Sequence, residues 1–395
     1  MKKKGIYVIF DDYKTFSATK AENGIAKKIL NQIQTFHNAD FDIDISYADM
    51  LLFGKSYSKL AAIYKLASRI PFFNPMPSFS SDTSMYNFLY MRRPPFMHSN
   101  FIAMLRKMKV KNPNIKIIME IPTYPYDQEG KNEGVIKGWV NYPILLKDRL
   151  ARRHLYKYVD RIATLTDDKE IFGIPTIKIK NGYDFASFPA RIPTTPHEPS
   201  INICCVAMFS FWHGYERLLH SIHDYYKNTP IEKQRKIIIH FAGEGKEALN
   251  YQKLSEELSV MEHVRFYGKL NKAALQDLYN QVDIGVCSLG CYKKNINVSM
   301  ELKSREYIAA GLPIVTGIHL DLQDYEEFVP YILEFPNNSN PVDMQKIIDF
   351  YDRLKLSSVD EATRIANYLH KTGEKYLNMD AAMKNVVYYI GGEVC

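Results

Sequence analysis

Glu301-Leu-Lys-Ser-Arg-Glu306-Tyr-Ile-Ala-Ala-Gly311-Leu-Pro313-Ile-Val315 reads as a helix that stops at Gly311 and passes through Leu-Pro into a buried strand. Glycine takes the left-handed conformation at a helix C-terminus without a Cβ penalty, and a proline soon after it prevents continuation. Two carboxylates and two cations, Glu301, Lys303, Arg305 and Glu306, crowd the start of this helix, which follows a loop. A solvated first turn capped by Ser299 explains those charges on composition alone. The sequence on either side argues for a binding role.

Working outward, strands are expected at Ile201–Met208, Lys236–Ala242, Val264–Tyr267, Val282–Ser288 and Pro313–Thr316, with helices between them. The first half alternates in the same way, with apolar runs at 5–10, Phe41–Ser46, Asn87–Met91, Ile115–Ile121, Asp160–Leu165 and Thr176–Ile179. Ile25, Ile29, Ile33 and Phe36 recur at helical spacing within Gly24–Phe36. Pro189, Pro193, Pro196 and Pro199 mark a linker. The expected class is α/β: two doubly wound, Rossmann-like domains, 1–188 and 200–370, with parallel sheets and a ligand cleft between them. A helical pattern from about Ala362 to Ile390 is longer than the second lobe requires. Residues 371–395 are therefore expected to cross back to the first domain.

The 395 residues carry 51 Lys and Arg against 44 Asp and Glu, a formal charge of +7, which favours polyanionic partners or anionic lipid without demanding them. Five cysteines are an odd number. Cys204-Cys205 lies in an apolar run, and Cys287 and Cys291 have no second Cys/His pair nearby, so core packing under reducing conditions is expected and a metal site is not. Met1-Lys-Lys-Lys before Gly5–Phe10 imitates a signal peptide, but Asp11-Asp12 ends the apolar run too early. The expectation is a cytoplasmic protein, peripheral at the inner face of the membrane if it meets lipid.

Several strand ends carry chemistry. Phe209-Ser-Phe-Trp212-His213-Gly214 follows the first strand of the second half, where a tryptophan beside a histidine is hard to assign to packing, and His213 near a helix N-terminus suits a phosphate. Gly243 and Gly245, in Phe241-Ala-Gly-Glu-Gly, let a backbone approach a ligand, although a plain tight turn needs them equally. Gly268-Lys269 ends another strand and offers a backbone ledge for a flat ring. In the first half, Gly24 opens a helix with Lys27 and Lys28 behind it, a modest anion signal that a surface lysine pair also explains. Arg92 places a guanidinium at a strand end. Glu120, Tyr124 and Tyr126, in Glu120-Ile-Pro-Thr-Tyr-Pro-Tyr126, fit carbohydrate hydroxyls and faces. Arg149, Arg152, Arg153 and Lys157 share one helix side, and six basic residues stand against Asp148 across 137–157. That face suits an anionic membrane surface or plain solvent. No nucleic-acid module accompanies it.

Taken in order, Trp212-His213-Gly214, Phe241-Ala-Gly243-Glu-Gly245, Val264-x-Phe-Tyr-Gly268, Val282-Asp283-Ile and Glu306-Tyr-Ile-Ala-Ala-Gly311-Leu-Pro-Ile-Val resemble the nucleotide-sugar-binding domain of family 4 glycosyltransferases of the GT-B architecture. The first half resembles the acceptor domain of members that assemble bacterial polysaccharides, through Gly24–Lys28, Tyr90-Met-Arg92 and Glu120–Tyr126. The resemblance implies retaining, metal-independent transfer of a hexosyl group from a nucleotide-diphosphate sugar, UDP-linked, to a glycan or lipid-linked acceptor, with no further cofactor. Glu306 would then be the second Glu of the E-x7-E element and bond the donor ribose. Lys303 or Arg305 would help neutralise the diphosphate, and Glu301 would join them in the catalytic group. Gly24, Trp212, His213, Gly243, Gly268 and Lys269 would line the donor site, and Arg92, Glu120, Tyr124 and Tyr126 the acceptor side. Val298 stands where the first Glu of the element is expected, with Glu301 three residues out of register. A UDP-sugar 2-epimerase of the same fold and a non-catalytic sugar-nucleotide-binding subunit are the alternatives.

Overall fold

The computed structural model describes residues 2–10, 24–47, 49–51, 76–78, 82–94, 97–122, 124–126, 135–194 and 199–392. Met1, Asp11, Asp12 and Pro196, which enter the sequence reading, and the fifth cysteine, Cys395, lie outside these, and Gly24 is described by its backbone alone. The chain divides into two compact units, Met1–Lys180 with Met379–Cys395, and Asn181–Asn378.

The first unit contains β1 (Lys4–Ile9), α1 (Gly24–Asn38), β2 (Asp42–Tyr47), the short antiparallel pair β3 (Asp49–Leu51) and β4 (Met76–Ser78), and β5 (Phe88–Arg92). Next come α2 (Ser99–Lys111), β6 (Lys116–Glu120), α3 (Val135–Arg152), β7 (Arg161–Thr164), β8 (Glu170–Ile171) and β9 (Ile174–Lys178). Seven strands form one sheet in the order β2-β1-β5-β6-β7-β9-β8, parallel except for the β8–β9 hairpin. Alternation along each strand divides the apolar side chains between two faces. Ile6, Val8, Leu89, Met91, Ile117 and Met119 join one core cluster. Tyr7, Ile9, Phe88, Tyr90 and Ile118 join the other, which includes Ile29, Ile33 and Phe36 of α1.

The second unit holds β10 (Ile201–Val206), α4 (Glu216–Asn228), β11 (Ile237–Ala242), α5 (Ala248–Glu257), β12 (Val264–Gly268), α6 (Lys272–Gln281) and β13 (Ile284–Val286). It continues with β14 (Val298–Ser299), α7 (Leu302–Ala310), β15 (Ile314–Thr316), β16 (His319–Leu320), β17 (Ile332–Glu334), α8 (Met344–Arg353) and α9 (Val359–Leu377). Six strands, all parallel, run β12-β11-β10-β13-β15-β17, and β14 pairs with β16 apart from them. The predicted helix stop is present: Gly311 caps α7 at φ 77°, and a Cβ there would lie 2.4 Å from the Cα of Ala366 in α9, so both conformation and packing require glycine.

The C-terminal helical pattern resolves into two helices, because Asn378 takes an extended ψ of 168° between α9 and α10 (Met379–Gly391). Met379, Ala382, Met383, Val386 and Ile390 of α10 complete the first unit's core with Tyr7, Phe36 and Phe88. Among the described residues no helix is long and apolar enough to cross a membrane.

Candidate functional site

The order of strands in the second unit fixes where a ligand can be held. The chain enters at β10, winds outward through β11 and β12, then returns to the other side of β10 with β13. The reversal leaves a crevice at the carboxyl ends of β10 and β13, the usual ligand position in such sheets. Only Ile203 with Ile284 and Cys204 with Gly285 pair between these strands. Beyond that, the Tyr307 hydroxyl of α7 stands between them, accepting from the Val206 N–H at 2.9 Å and donating to the Val286 carbonyl at 3.3 Å.

Alpha-helix α7 begins beside this crevice. Glu301 occupies its N-cap, but its side chain does not cap the helix. It turns to Ser288, just past β13, and accepts from the Ser288 N–H at 3.2 Å and hydroxyl at 2.9 Å. Lys303 pairs with Glu301 at 3.2 Å and donates to the Tyr215 hydroxyl at 3.3 Å. Both side chains keep some exposure, 12% for Lys303 and 14% for Glu301. A cation beside a helix N-terminus that no side chain caps makes a favourable position for an anion.

Arg305 and Glu306 have other surroundings. Arg305 is fully buried, ion-paired with Asp321, and bonds the Asn181 carbonyl at 3.1 Å and the Ser304 hydroxyl at 3.0 Å. The expectation that it steadies a ligand's diphosphate therefore meets a guanidinium whose five donors face protein. It lies outside the Glu301–Lys303 group. Glu306 is half-buried and accepts from the Tyr279 hydroxyl of α6 at 2.8 Å. Five positions separate it from Glu301, which puts the two carboxylates on different faces of the helix.

The loop after β10 supplies the opposite wall. His213 is buried, and its Nδ1 accepts from the Ser210 N–H at 2.9 Å, so the ring proton sits on Nε2. Burial, with the Lys303 charge nearby, pushes its pKa down to about 3 and keeps it neutral. It stacks on Tyr215 at 5.6 Å. Trp212 is half-buried, with the Lys294 ammonium 4.6 Å from its ring. Gly243 and Gly245 lie against the same loop: a Cβ on Gly243 would come within 1.8 Å of the Ala207 carbonyl oxygen, and on Gly245 within 2.3 Å of that of Phe209. The need for glycine here comes from chain packed on chain, which is the tight-turn reading. Gly268 and Lys269 are exposed, and nothing lies within 4 Å of the Cβ position at Gly268.

In the first unit, Glu120 ends β6 and is fully buried. It bonds Lys28 at 2.9 Å, Gln32 at 2.7 Å and the Tyr90 hydroxyl at 2.8 Å, while Tyr7 donates to Gln32 at 2.6 Å. Burial raises its pKa, but the Lys28 and Arg92 charges outweigh that and hold it at about 2. Glu120 is thus the anion of an internal network, which corrects the expectation of a carboxylate offered to sugar hydroxyls. Arg92 lies beside it in register at the end of β5. Tyr124 and Tyr126 belong elsewhere: Tyr126 donates to Asp148 at 2.6 Å, and both rings meet Phe172.

Of the predicted set, Glu301, Lys303, Trp212 and His213 come together at the β10/β13 crevice. The sequence reading missed Ser288 and Tyr215 there, Tyr279 beside Glu306, and Gln32 in the first unit. Ser288, two residues past β13, and Tyr215, at the end of the loop that carries Trp212 and His213, could have been flagged by position alone. Among the described residues, no group of three or more His, Cys, Asp or Glu is placed to hold a metal ion.

Comparison with known proteins places these observations. No curated protein matches this chain. The solved glycosyltransferase from Rickettsia africae ESF-5 is similar in fold, with a TM-score of 0.56 and 12% identity over 100% of both chains. Anabaena Alr3699/HepE in complex with UDP gives 0.57 and 10%, covering 99% of this chain and 100% of that one. The apo lipopolysaccharide outer core galactosyltransferase WaaB gives 0.54 and 12%, over 99% and 100%. The fold is therefore GT-B, two Rossmann-like α/β units in one chain. Residues 190–325, the stretch that carries β10, the Trp212–His213 loop and the whole of α7, match the family Glycosyl transferases group 1.

Proposed function

We propose that this chain is a retaining glycosyltransferase that moves a hexosyl group from a nucleotide-diphosphate sugar, UDP-linked, to a glycan or lipid-linked acceptor of bacterial surface polysaccharide. The observation that carries the reading is the family match over 190–325, because that stretch contains the crevice with Lys303 and the α7 N-terminus. Charge develops on the diphosphate as the glycosyl bond breaks. The Lys303 ammonium and the α7 N–H dipoles stabilise it, His213 adds a neutral N–H, and the acceptor's proton passes to the departing phosphate. Glu301 orients Lys303 from the side of Ser288, in place of the absent carboxylate at 298. Glu306 binds the ribose. A similar protein, Alr3699/HepE, has been solved with UDP, which favours UDP among donor nucleotides.

The acceptor side of this reading includes an anionic membrane surface. Tyr142, Leu146 and Leu150 of α3 follow one another at four-residue spacing and are 54%, 43% and 51% exposed, with Arg149 and Arg153 exposed beside them. An apolar stripe edged by arginines fits the headgroup region of anionic lipid.

Thermal shift across UDP-, GDP- and dTDP-sugars tests the donor, since a ligand that binds the native state raises the melting temperature. A shift with a UDP-sugar that is lost in Lys303→Ala is expected. No shift with any nucleotide sugar would sink the proposal, and isomerisation of a UDP-sugar without acceptor would assign the fold to an epimerase.

A further inference from the structure

A second concave site lies in the first unit. A cavity of ≈ 410 Å³ is lined by Tyr124, Arg149, Arg152, Arg153 and Phe172. Phe172 stands in the two-residue turn between β8 and β9, at the amino end of β9. Arg92 and Glu120, by contrast, stand at the carboxyl ends of β5 and β6, strands parallel to β9 within the same sheet.

The aromatic floor is ordered by its own contacts. Phe172 meets Tyr124 edge-on at 5.5 Å and Tyr126 at 6.1 Å. It does so at φ 55°, followed by Gly173 at 78°, a turn in which a bulky residue is an outlier. The Arg152 guanidinium lies 4.7 Å from the Phe172 ring and 5.5 Å from that of Tyr126. Asp148, 3.7 Å from Arg152, is buried and accepts from the Tyr126 hydroxyl at 2.6 Å and the Met97 N–H at 2.8 Å. Arg152 is thereby fixed in place, and the exposed Arg149 and Arg153 complete the rim.

We propose that this cavity binds a phosphate group, with Arg149, Arg152 and Arg153 as its donors and the Tyr124 and Phe172 rings as a wall for whatever carries the phosphate. Guanidinium groups pair bidentately with phosphate oxygens, and like charges gathered around a concavity raise its potential for anions. The volume admits a phosphorylated sugar or a lipid headgroup. The inference rests on the first unit alone and stands whether or not the second unit binds a glycosyl donor.

The test uses the full chain. Glucose 1-phosphate is titrated calorimetrically, and co-sedimentation is measured with vesicles of phosphatidylcholine alone or with about one-third phosphatidylglycerol. Binding in at least one arm is expected, weakened about fivefold or more in Arg153→Gln and further in Arg149→Gln/Arg153→Gln. Arg153 is exposed, so the single variant carries the test if the double variant fails to fold. Binding of the soluble sugar phosphate alone identifies a saccharide source. Binding of the phosphatidylglycerol vesicles alone, reduced by the arginine changes and separately by Leu146→Ser, identifies a headgroup. No binding in either arm, or binding that both arginine variants retain in full, overturns the proposal. UDP-glucose binding measured in the same samples reports on the second unit, and its absence counts only against the glycosyl-donor reading.

Discussion

The carboxylate of Glu301 is held by Ser288 through two hydrogen bonds, from the hydroxyl at 2.9 Å and the backbone N–H at 3.2 Å, while Lys303 pairs with its outer side at 3.2 Å. The helix N-cap residue thus serves as a brace between the β13 loop and the cation of α7, and leaves the helix end without a side-chain cap. Lys303→Ala is expected to weaken nucleotide-sugar binding roughly tenfold or more, as removal of a charge-assisted bond does. Glu301→Gln keeps a bond to Ser288 and lowers turnover more than it lowers affinity. A Lys303→Ala enzyme with unchanged affinity and turnover would remove Lys303 from the site.

Arg305 separates structure from binding in the same helix. Its ion pair with Asp321 is fully buried, so Arg305→Ala leaves an uncompensated carboxylate inside the second unit. The expected cost is about 3–5 kcal/mol, read as a lowered urea midpoint. Ligand affinity of the folded fraction should stay near that of the wild type. A normal midpoint with lost affinity would return Arg305 to the ligand.

In the first unit the network around Glu120 predicts a response to acid. Its folded pKa of about 2 lies below its ordinary value of 4.5, so the folded state holds the proton less tightly than the unfolded chain. The stabilisation is present above about pH 4.5 and is lost as pH falls through about 2. On the order of 3 kcal/mol is at stake, from the size of the shift. Glu120→Gln should lower stability at pH 7 and flatten the dependence on pH between 4.5 and 2. Equal slopes in the two proteins would show that Glu120 does not carry it.

Much of the frame was legible because periodicity and punctuation are local. The major strands fall within one or two residues of their apolar runs, and Gly311 and Pro313 end α7 as written. Short strands such as β8, β14 and β16 were not, since two residues carry no period. The break at Asn378 was hidden because the apolar spacing continues through it. Trp212 and His213 drew attention by their place in the loop after a strand, and Glu301 and Lys303 by the crowding of charge at the start of α7. The fate of Arg305 and Glu120 was illegible, because burial of a charge depends on a partner distant in sequence: Asp321 for one, Lys28 for the other. The acceptor-side group divides for the same reason. Tyr124 and Tyr126 are drawn to Phe172 and Asp148, which no spacing within Glu120–Tyr126 announces.

His213 gives the last prediction. The Ser210 N–H on Nδ1 fixes the Nε2–H tautomer, and burial beside Lys303 and Lys294 holds the pKa at about 3. Its ring is therefore a neutral donor through the whole physiological range, beside Tyr215 and Trp212 and near the Lys303 ammonium. Nitrogen-15 spectra of histidine-labelled protein should show an Nε2–H resonance that vanishes in His213→Gln and does not titrate between pH 5 and 8. Stability has the opposite tendency. The unfolded chain protonates this histidine below about 6.5 while the folded one does not, so the unfolded state binds more protons and stability falls as pH drops from 6.5 toward 3. At pH 5 the loss from this residue is about 2 kcal/mol, and His240, pushed down to about 4 by burial, adds to it. His213→Gln should be less sensitive than the wild type to a change from pH 7 to 5 in thermal melts. A His213 resonance that titrates near 6.5, or melts equally pH-sensitive in both proteins, would mean that the imidazole is charged on demand and meets its ligand as a cation.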